Sequence, residues 1–381
     1  MTLQTPPLGL YIHIPWCIKK CPYCDFNSHA LSGDLPERNY VQALLRDLDQ
    51  DLPRVPGRRL DSIFFGGGTP SLFRPEAIFD LIASVKSCID CKEDLEITLE
   101  ANPGTVEKDR FKAFREAGVN RLSIGVQSFQ PVHLKALGRI HSAEEAVRAA
   151  EEAHKAQIAN FNLDLMYGLP GQSRGLASQD ILAAIALEPA HISYYQLTIE
   201  EHTGFSKFPP SLPIDDEIWA IQSENQAILA DHGYRQYEIS AYARPGFECH
   251  HNLNYWTFGD YLGIGAGAHA KITDAESATI QRFSKQRHPG KYMQTAGTSA
   301  NLASNESIPA QRRALEFLMN ALRLHEGFDK SEFSARTGLD LSTLEPELTQ
   351  CLNEKLLEQH DTRIRCSQSG RNFLNEILVR F

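Results

Sequence analysis

The chain has 381 residues, 42% hydrophobic and 23% charged, which supports a large folded domain plus a smaller one with its own core and excludes a disordered polymer. A formal net charge of -10 provides no field favouring nucleic acid or an anionic bilayer. The start, Met-Thr-Leu-Gln-Thr-Pro-Pro, lacks the basic and apolar regions of a secretory leader, and no apolar run approaches the ~18 residues of a membrane-spanning helix, so a soluble cytoplasmic protein is expected.

The first predicted element, Leu10 to Ile14, is an apolar run of β-branched and aromatic residues that reads as a buried strand. A short loop follows, with Cys17, Cys21 and Cys24 in the spacing CxxxCxxC. Three thiolates leave a four-iron, four-sulfur cluster with one iron free of protein ligands, and a small molecule can chelate that iron. Zinc needs a fourth ligand, and His13 and His29 are badly placed to close a tetrahedron. Unliganded, three thiols this close would be readily oxidised; the eight cysteines of the chain suit a reducing compartment. The spacing, with the aromatic Tyr23 before the third cysteine, resembles the radical S-adenosylmethionine (SAM) superfamily.

Helices and strands then alternate. Predicted helices cover Arg38 to Asp51, Glu76 to Ile89, Val106 to Ala117, Ala143 to Ala156 and Gln179 to Leu187; predicted strands cover Leu60 to Phe65, Leu95 to Glu100, Arg121 to Gln127, Phe161 to Met166 and His191 to Leu197. With Leu10 to Ile14 this makes six strands and implies a parallel sheet with helices outside, an incomplete, laterally open (β/α)6 barrel in the α/β class. Polar and glycine residues gather at the carboxyl ends of these strands: the cysteines, Gly66-Gly67-Gly68-Thr69-Pro70, Glu100, Gln127, Asp164 and Gln196. That face carries the active site in barrels of this kind. The three glycines let backbone approach a ligand closely. Glu100, Gln127, Asp164 and, just beyond a strand, Arg139 suit recognition of ribose hydroxyls, a carboxylate and a sulfonium-bearing nucleoside.

From about 204 to 290 the chain is punctuated by glycine and proline, with a helix near Asp216 to Asp231 and short strands such as Tyr237 to Tyr242. This stretch contains Cys249-His250-His251-Asn252-Leu253-Asn254-Tyr255-Trp256, read as a loop, and the glycine-rich Gly263 to His269; it is expected to lie over the barrel. Cys88 and Cys91 form a CxxC that closes a helix instead of opening one, and read as incidental thiols. From about Ala310, helices over Gln311 to Leu324, Lys330 to Thr337 and Ser342 to Asn353, two short strands and a last helix suggest a winged-helix-like module. Its ten Lys/Arg against eleven Asp/Glu between Gln311 and Phe381 lack the basic stripe of a DNA-binding domain. The expected divisions are 1–240 for the radical SAM partial barrel, 241–309 for the histidine loop and glycine-rich cover, and 310–381 for the winged-helix-like domain.

Together these features resemble the oxygen-independent coproporphyrinogen III dehydrogenases along nearly the whole chain. The resemblance implies that Cys17, Cys21 and Cys24 hold the cluster and that Tyr11, Tyr23, Gly67, Gly68, Thr69, Glu100, Gln127, Arg139 and Asp164 contact SAM. Two departures bear on the branch: those enzymes carry CxxxCxxCxC, whereas Phe26 stands here, and only ten residues precede Tyr11 where they have an extension. His251 to Trp256 fits the HNxxYW pattern of the sister branch, the heme chaperones. Two readings follow. One is a chaperone that binds heme through His251, with His250 and Cys249 as rivals, and passes it to respiratory enzymes at the inner membrane face, using cluster and SAM; the other is a radical enzyme decarboxylating a porphyrinogen. Phe26, the short start and the histidine segment favour the chaperone, for which no catalytic residue is assigned; a homodimer is compatible with it.

Overall fold

The computed structural model describes residues 2–105 and 109–381. Six strands, β1 (Leu8–Ile14), β2 (Arg59–Gly67), β3 (Asp90–Ala101), β4 (Arg121–Gln127), β5 (Asn160–Tyr167) and β6 (His191–Gln196), pair in chain order and all in parallel. β7 (Arg235–Glu238) and β8 (Ala241–Ala243) form a hairpin that extends the β6 edge antiparallel. At the other edge β9 (Asp260–Ile264) adds a further parallel strand beside β1, and β10 (His269–Asp274), β11 (Thr279–Lys285) and β12 (Leu302–Ser307) continue antiparallel. Among the described residues no pairing joins the two edges of this twelve-stranded sheet, so the barrel stays laterally open.

The strands are buried on both faces, which is why they read as nearly continuous apolar runs. Alternation still sorts their side chains. In β1, Leu10, Ile12 and Ile14 share a core with Tyr40 and Leu44 of the Glu37–Asp51 helix, while Tyr11 and His13 line a cavity on the opposite face. In β4 and β5 the apolar Leu122, Ile124, Leu163 and Leu165 join that same core. Their neighbours Ser123, Gly125, Gln127 and Asp164 line a different cavity.

The stretch 241–309, expected as a cover, is largely an extension of the sheet. Buried charge fastens it. Lys285 of β11 is fully buried, with its Nζ 2.5 Å from an Asp47 oxygen and 2.6 Å from an Asp51 oxygen. Asp47 also accepts from Tyr292 Oη at 2.8 Å and Asn301 Nδ2 at 2.9 Å. In β9, Asp260 accepts from Arg58 at 2.7 Å and Lys271 at 2.8 Å, besides the backbone N–H and hydroxyl of Thr273. Buried ion-pair networks of this kind favour one register, because a slipped strand would leave a charge buried without its partner.

Beyond Ile308, helices Ala310–Ala321, Lys330–Thr337 and Glu347–Asn353 pack with a small antiparallel sheet, β13 (Phe328–Asp329), β14 (Leu357–His360) and β15 (Arg363–Cys366), in the order β13-β15-β14. Phe317, Phe328 and Phe333 centre a second core, which Leu3 from the amino terminus also enters. Three expectations shift. Of the helix expected over 106–117, the structure describes Arg110–Glu116, and 106–108 lie outside the described residues. The strand expected over Tyr237 to Tyr242 breaks into the β7–β8 hairpin. The segment read as a histidine loop is a helix, His250–Trp256, too short to show a helical period in the sequence.

Candidate functional site

The cysteine loop leaves the carboxyl end of β1 and is tied down on several sides. Trp16–Cys17 pairs with His29–Ala30, closing the loop at its base. Gly68 N–H donates to Ile14 O and Thr69 N–H to Trp16 O, each at 2.7 Å. Asn27 Nδ2 donates to Ala266 O at 2.9 Å and Arg287 O at 2.8 Å, so the β9–β11 extension holds the far end of the loop.

All three thiols are free and line one cleft. Cys17 Sγ lies 3.6 Å from His29 O, Cys24 Sγ lies 3.5 Å from Ser28 Oγ, and Cys21 Sγ accepts from Arg139 Nη1 at 3.7 Å. Burial, with Cys24 and Cys21 beside it, pushes the Cys17 thiol up to about 11. Three free thiols brought together on one loop form a donor set for a shared metal centre. Among the described residues no three His, Cys, Asp or Glu side chains converge as the ligands of a single ion would. Three thiols on one loop suit a cubane cluster with one open iron better than the closed four-ligand tetrahedron of structural zinc. His13, the zinc alternative, shares its ring nitrogens with Tyr11 Oη at 3.1 Å and Asn27 O at 2.9 Å.

The opposite wall is the glycine turn. Gly67 has φ +116°, in the glycine-favoured region, and a Cβ there would lie 2.5 Å from the His13 ring; a Cβ at Gly68 would lie 2.4 Å from Trp16 O. Side chains are excluded at both positions. The Gly67 N–H donates to Glu100 Oε2 at 3.0 Å. Burial, then the neighbouring Asp164, pushes the Glu100 carboxyl up to about 8. Burial also raises Asp164, opposed by hydrogen bonds from Asn162 Nδ2 at 2.8 Å and Ser123 Oγ at 3.1 Å. These carboxylates are poised to ionise when a cation arrives.

Gln127 sits at φ +69°, beside a bulge in the β4–β5 pairing, and its Oε1 accepts from Tyr195 Oη at 2.6 Å. A non-glycine residue held left-handed at a strand end aims its side chain out of the ladder. Arg139 spans the space between, donating from Nη2 to Gly125 O at 2.5 Å.

Of the expected residues, Cys17, Cys21, Cys24, Tyr23, Gly67, Gly68, Thr69, Glu100, Gln127, Arg139 and Asp164 line this one cleft. Two do not. Tyr11 lies behind the glycine turn, 2.8 Å from where a Gly66 Cβ would be, and lines a second cavity. His251 lines neither. It is 1% exposed, stacks on Phe64 at 5.0 Å, and places Nδ1 2.8 Å from Ser62 Oγ and Nε2 3.2 Å from Tyr255 Oη. Burial, then the Arg121 charge, lowers it to about 3. Both ring nitrogens are engaged in this structure, where His251 is a buried, hydrogen-bonded residue on a helix instead of a loop residue. Cys249 is equally enclosed and contacts Glu96, while His250 is exposed.

Sequence reasoning missed Ser123, Asn162 and Tyr195. Phase could have found them: Ser123 is two before Gly125, Asn162 two before Asp164, and Tyr195 occupies the inward position that makes Gln196 exposed.

Residues 11–176 match the radical SAM superfamily, and residues 308–373 match the HemN C-terminal domain. The chain is 49% identical to the heme chaperone HemW of Escherichia coli (strain K12), covering 100% of this chain and 99% of that one. It is 48% identical to the heme chaperone HemW of Haemophilus influenzae, covering 99% and 98%. Among solved structures, coproporphyrinogen III oxidase (HemN) from Escherichia coli superposes with a TM-score of 0.83 at 23% identity, over 98% of this chain and 90% of that one, a likeness of fold.

Proposed function

The chain belongs to the HemW family of heme chaperones, within the radical SAM superfamily, and from that premise we propose that it binds heme and hands it to respiratory heme proteins under the control of a four-iron, four-sulfur cluster and SAM. The observation that carries this reading is the convergence on one cleft of three free thiols, a glycine turn that admits no side chain, and two carboxyl groups raised by burial.

In this reading Cys17, Cys21 and Cys24 hold the cluster. Bound there, the cluster supplies an iron open to chelation and the electron that radical SAM chemistry draws on. The protein's own residues do the rest. Gly67, Gly68 and Thr69 present backbone to the ligand; Glu100 and Asp164 receive its positive charge, with Ser123 and Asn162 fixing the second carboxylate. Gln127, locked by Tyr195, and Tyr23 shape the wall, and Arg139 caps the Cys21 thiolate. No helix among the described residues is long and apolar enough to cross a membrane, so acceptors in the inner membrane would be met at its surface. A homodimer at that surface belongs to the same proposal.

Anaerobic reconstitution with iron and sulfide, followed by titration with heme and then with apo-acceptor, tests it. The expected result is one cluster per chain, saturable heme uptake and recovery of heme in the acceptor. A reconstituted protein that takes up no heme would end the proposal.

A further inference from the structure

The second cavity, ≈ 630 Å³, opens beside the cysteine loop and is lined by Tyr11, Tyr255, Tyr261 and Phe26. Its volume falls within the ~300–1,000 Å³ typical of ligand pockets. Phe26 also lines the cleft of the cysteines, so the two cavities share a wall, and its ring is 60% exposed.

Two polar side chains stand in this cavity without partners. His269, at the start of β10, is exposed, and neither of its ring nitrogens has a hydrogen-bond partner among the described residues. It differs in this from His13 in the same cavity and from His251 behind it, whose nitrogens are all engaged. Partial desolvation by the cavity wall on its inner side, then Arg282 and Arg287, hold the His269 imidazole below its ordinary range although its outer edge is exposed, leaving it neutral with a free lone pair. Arg287, exposed at the rim, has no carboxylate within ion-pair distance among the described residues. Aromatic walls, one free neutral imidazole and one unpaired guanidinium match a planar iron porphyrin: rings for its faces, nitrogen for its iron, and a planar cation for a propionate.

We propose that heme seats in this second cavity with His269 as its iron ligand and Arg287 paired to a propionate. The proposal rests on the heme-binding reading above and moves the iron from the His250–Trp256 helix to β10. It places heme beside the cysteine loop, with Phe26 between the two.

Heme is titrated anaerobically into the reconstituted full chain and into His269→Ala, His250→Ala and Ala303→Trp; the last fills the cavity from an exposed position on β12 and leaves the core untouched. The expected result is a shifted Soret band and affinity weakened at least ~tenfold in His269→Ala, the scale on which even the outer partners of a metal ligand act. Added imidazole should restore the spectrum, Ala303→Trp should also weaken binding, and His250→Ala should match the parent. Unchanged spectrum and affinity in both His269→Ala and Ala303→Trp would overturn the site while leaving the chaperone reading standing. Loss confined to His250→Ala would overturn it too, and would return the iron to the helix. A parent protein that takes up no heme would overturn both site and reading.

Discussion

The Glu100 carboxyl makes SAM binding pH-dependent, with a sign and size that follow from its surroundings. Burial and Asp164 raise it to about 8, so the free site is mostly protonated at neutral pH. A SAM cation beside it favours the carboxylate, and binding therefore releases a proton. At pH 7 the cost of ionising a group with a pKa of about 8 is RT ln(1 + 10), about 1.4 kcal/mol; at pH 6 it is about 2.7 kcal/mol, and well above pH 8 it vanishes. Affinity for SAM should thus fall about tenfold from pH 7 to pH 6 and level off above pH 8.5. Because Asp164 is close, the midpoint belongs to the two carboxyls together. Calorimetry of the cluster-loaded protein in buffers of different ionisation enthalpy counts the proton directly, with about 0.9 expected at pH 7. Glu100→Gln should release fewer protons on binding SAM and show a shallower profile, with Asp164 supplying what remains. Proton release that persists undiminished in Glu100→Gln would refute the assignment, as would a parent affinity independent of pH between 6 and 8.

Replacing Cys17, Cys21 or Cys24 by Ala should abolish cluster reconstitution while thermal unfolding changes little; full iron and sulfide in all three variants would remove the thiols from the site. Lys285→Met leaves Asp47 and Asp51 buried without their cation and should destabilise by about 3–5 kcal/mol, read from denaturant midpoints, with a smaller loss if Asp47 and Asp51 are also made Asn. Phe26 departs from the CxxxCxxCxC pattern that the resemblance to the coproporphyrinogen III dehydrogenases implies, so protein with SAM and a reductant should leave coproporphyrinogen III unconverted. Catalytic appearance of protoporphyrinogen IX would reverse that expectation.

What the sequence determined by itself was whatever depends on local spacing and strand period. Three cysteines within eight residues share one short loop, and Gly66 to Gly68, Glu100 and Gln127 fall at strand ends because apolar periodicity stops there, whereas Asp164 lies inside β5, which runs on to Tyr167, and reaches the cleft by its inward phase. In an α/β barrel, strand ends share one mouth, so eleven of the expected residues meet in one cleft although they span some 150 positions. The hairpin and first two helices of the carboxyl-terminal module were legible too, but the helix expected over Ser342 to Asn353 is a 3-10 turn, Leu341–Leu344, and a helix, Glu347–Asn353, parted at Pro346, and the last helix is two short ones. Only tertiary structure decided where Tyr11 and His251 lie. Both lie in segments rich in aromatic and polar residues, where type alone does not say whether a ring faces solvent, a ligand or a neighbour. Ser62, Phe64 and Tyr255, brought together from two distant segments, engage both ring nitrogens of His251 and stack on its ring. Likewise β9 could not be recognised as a parallel partner of β1, since its pairing spans some 250 residues and leaves no local period. The free imidazole of His269 is a product of that pairing: β9 carries β10 to the cysteine loop, and Asn27 holds it there through Ala266 and Arg287.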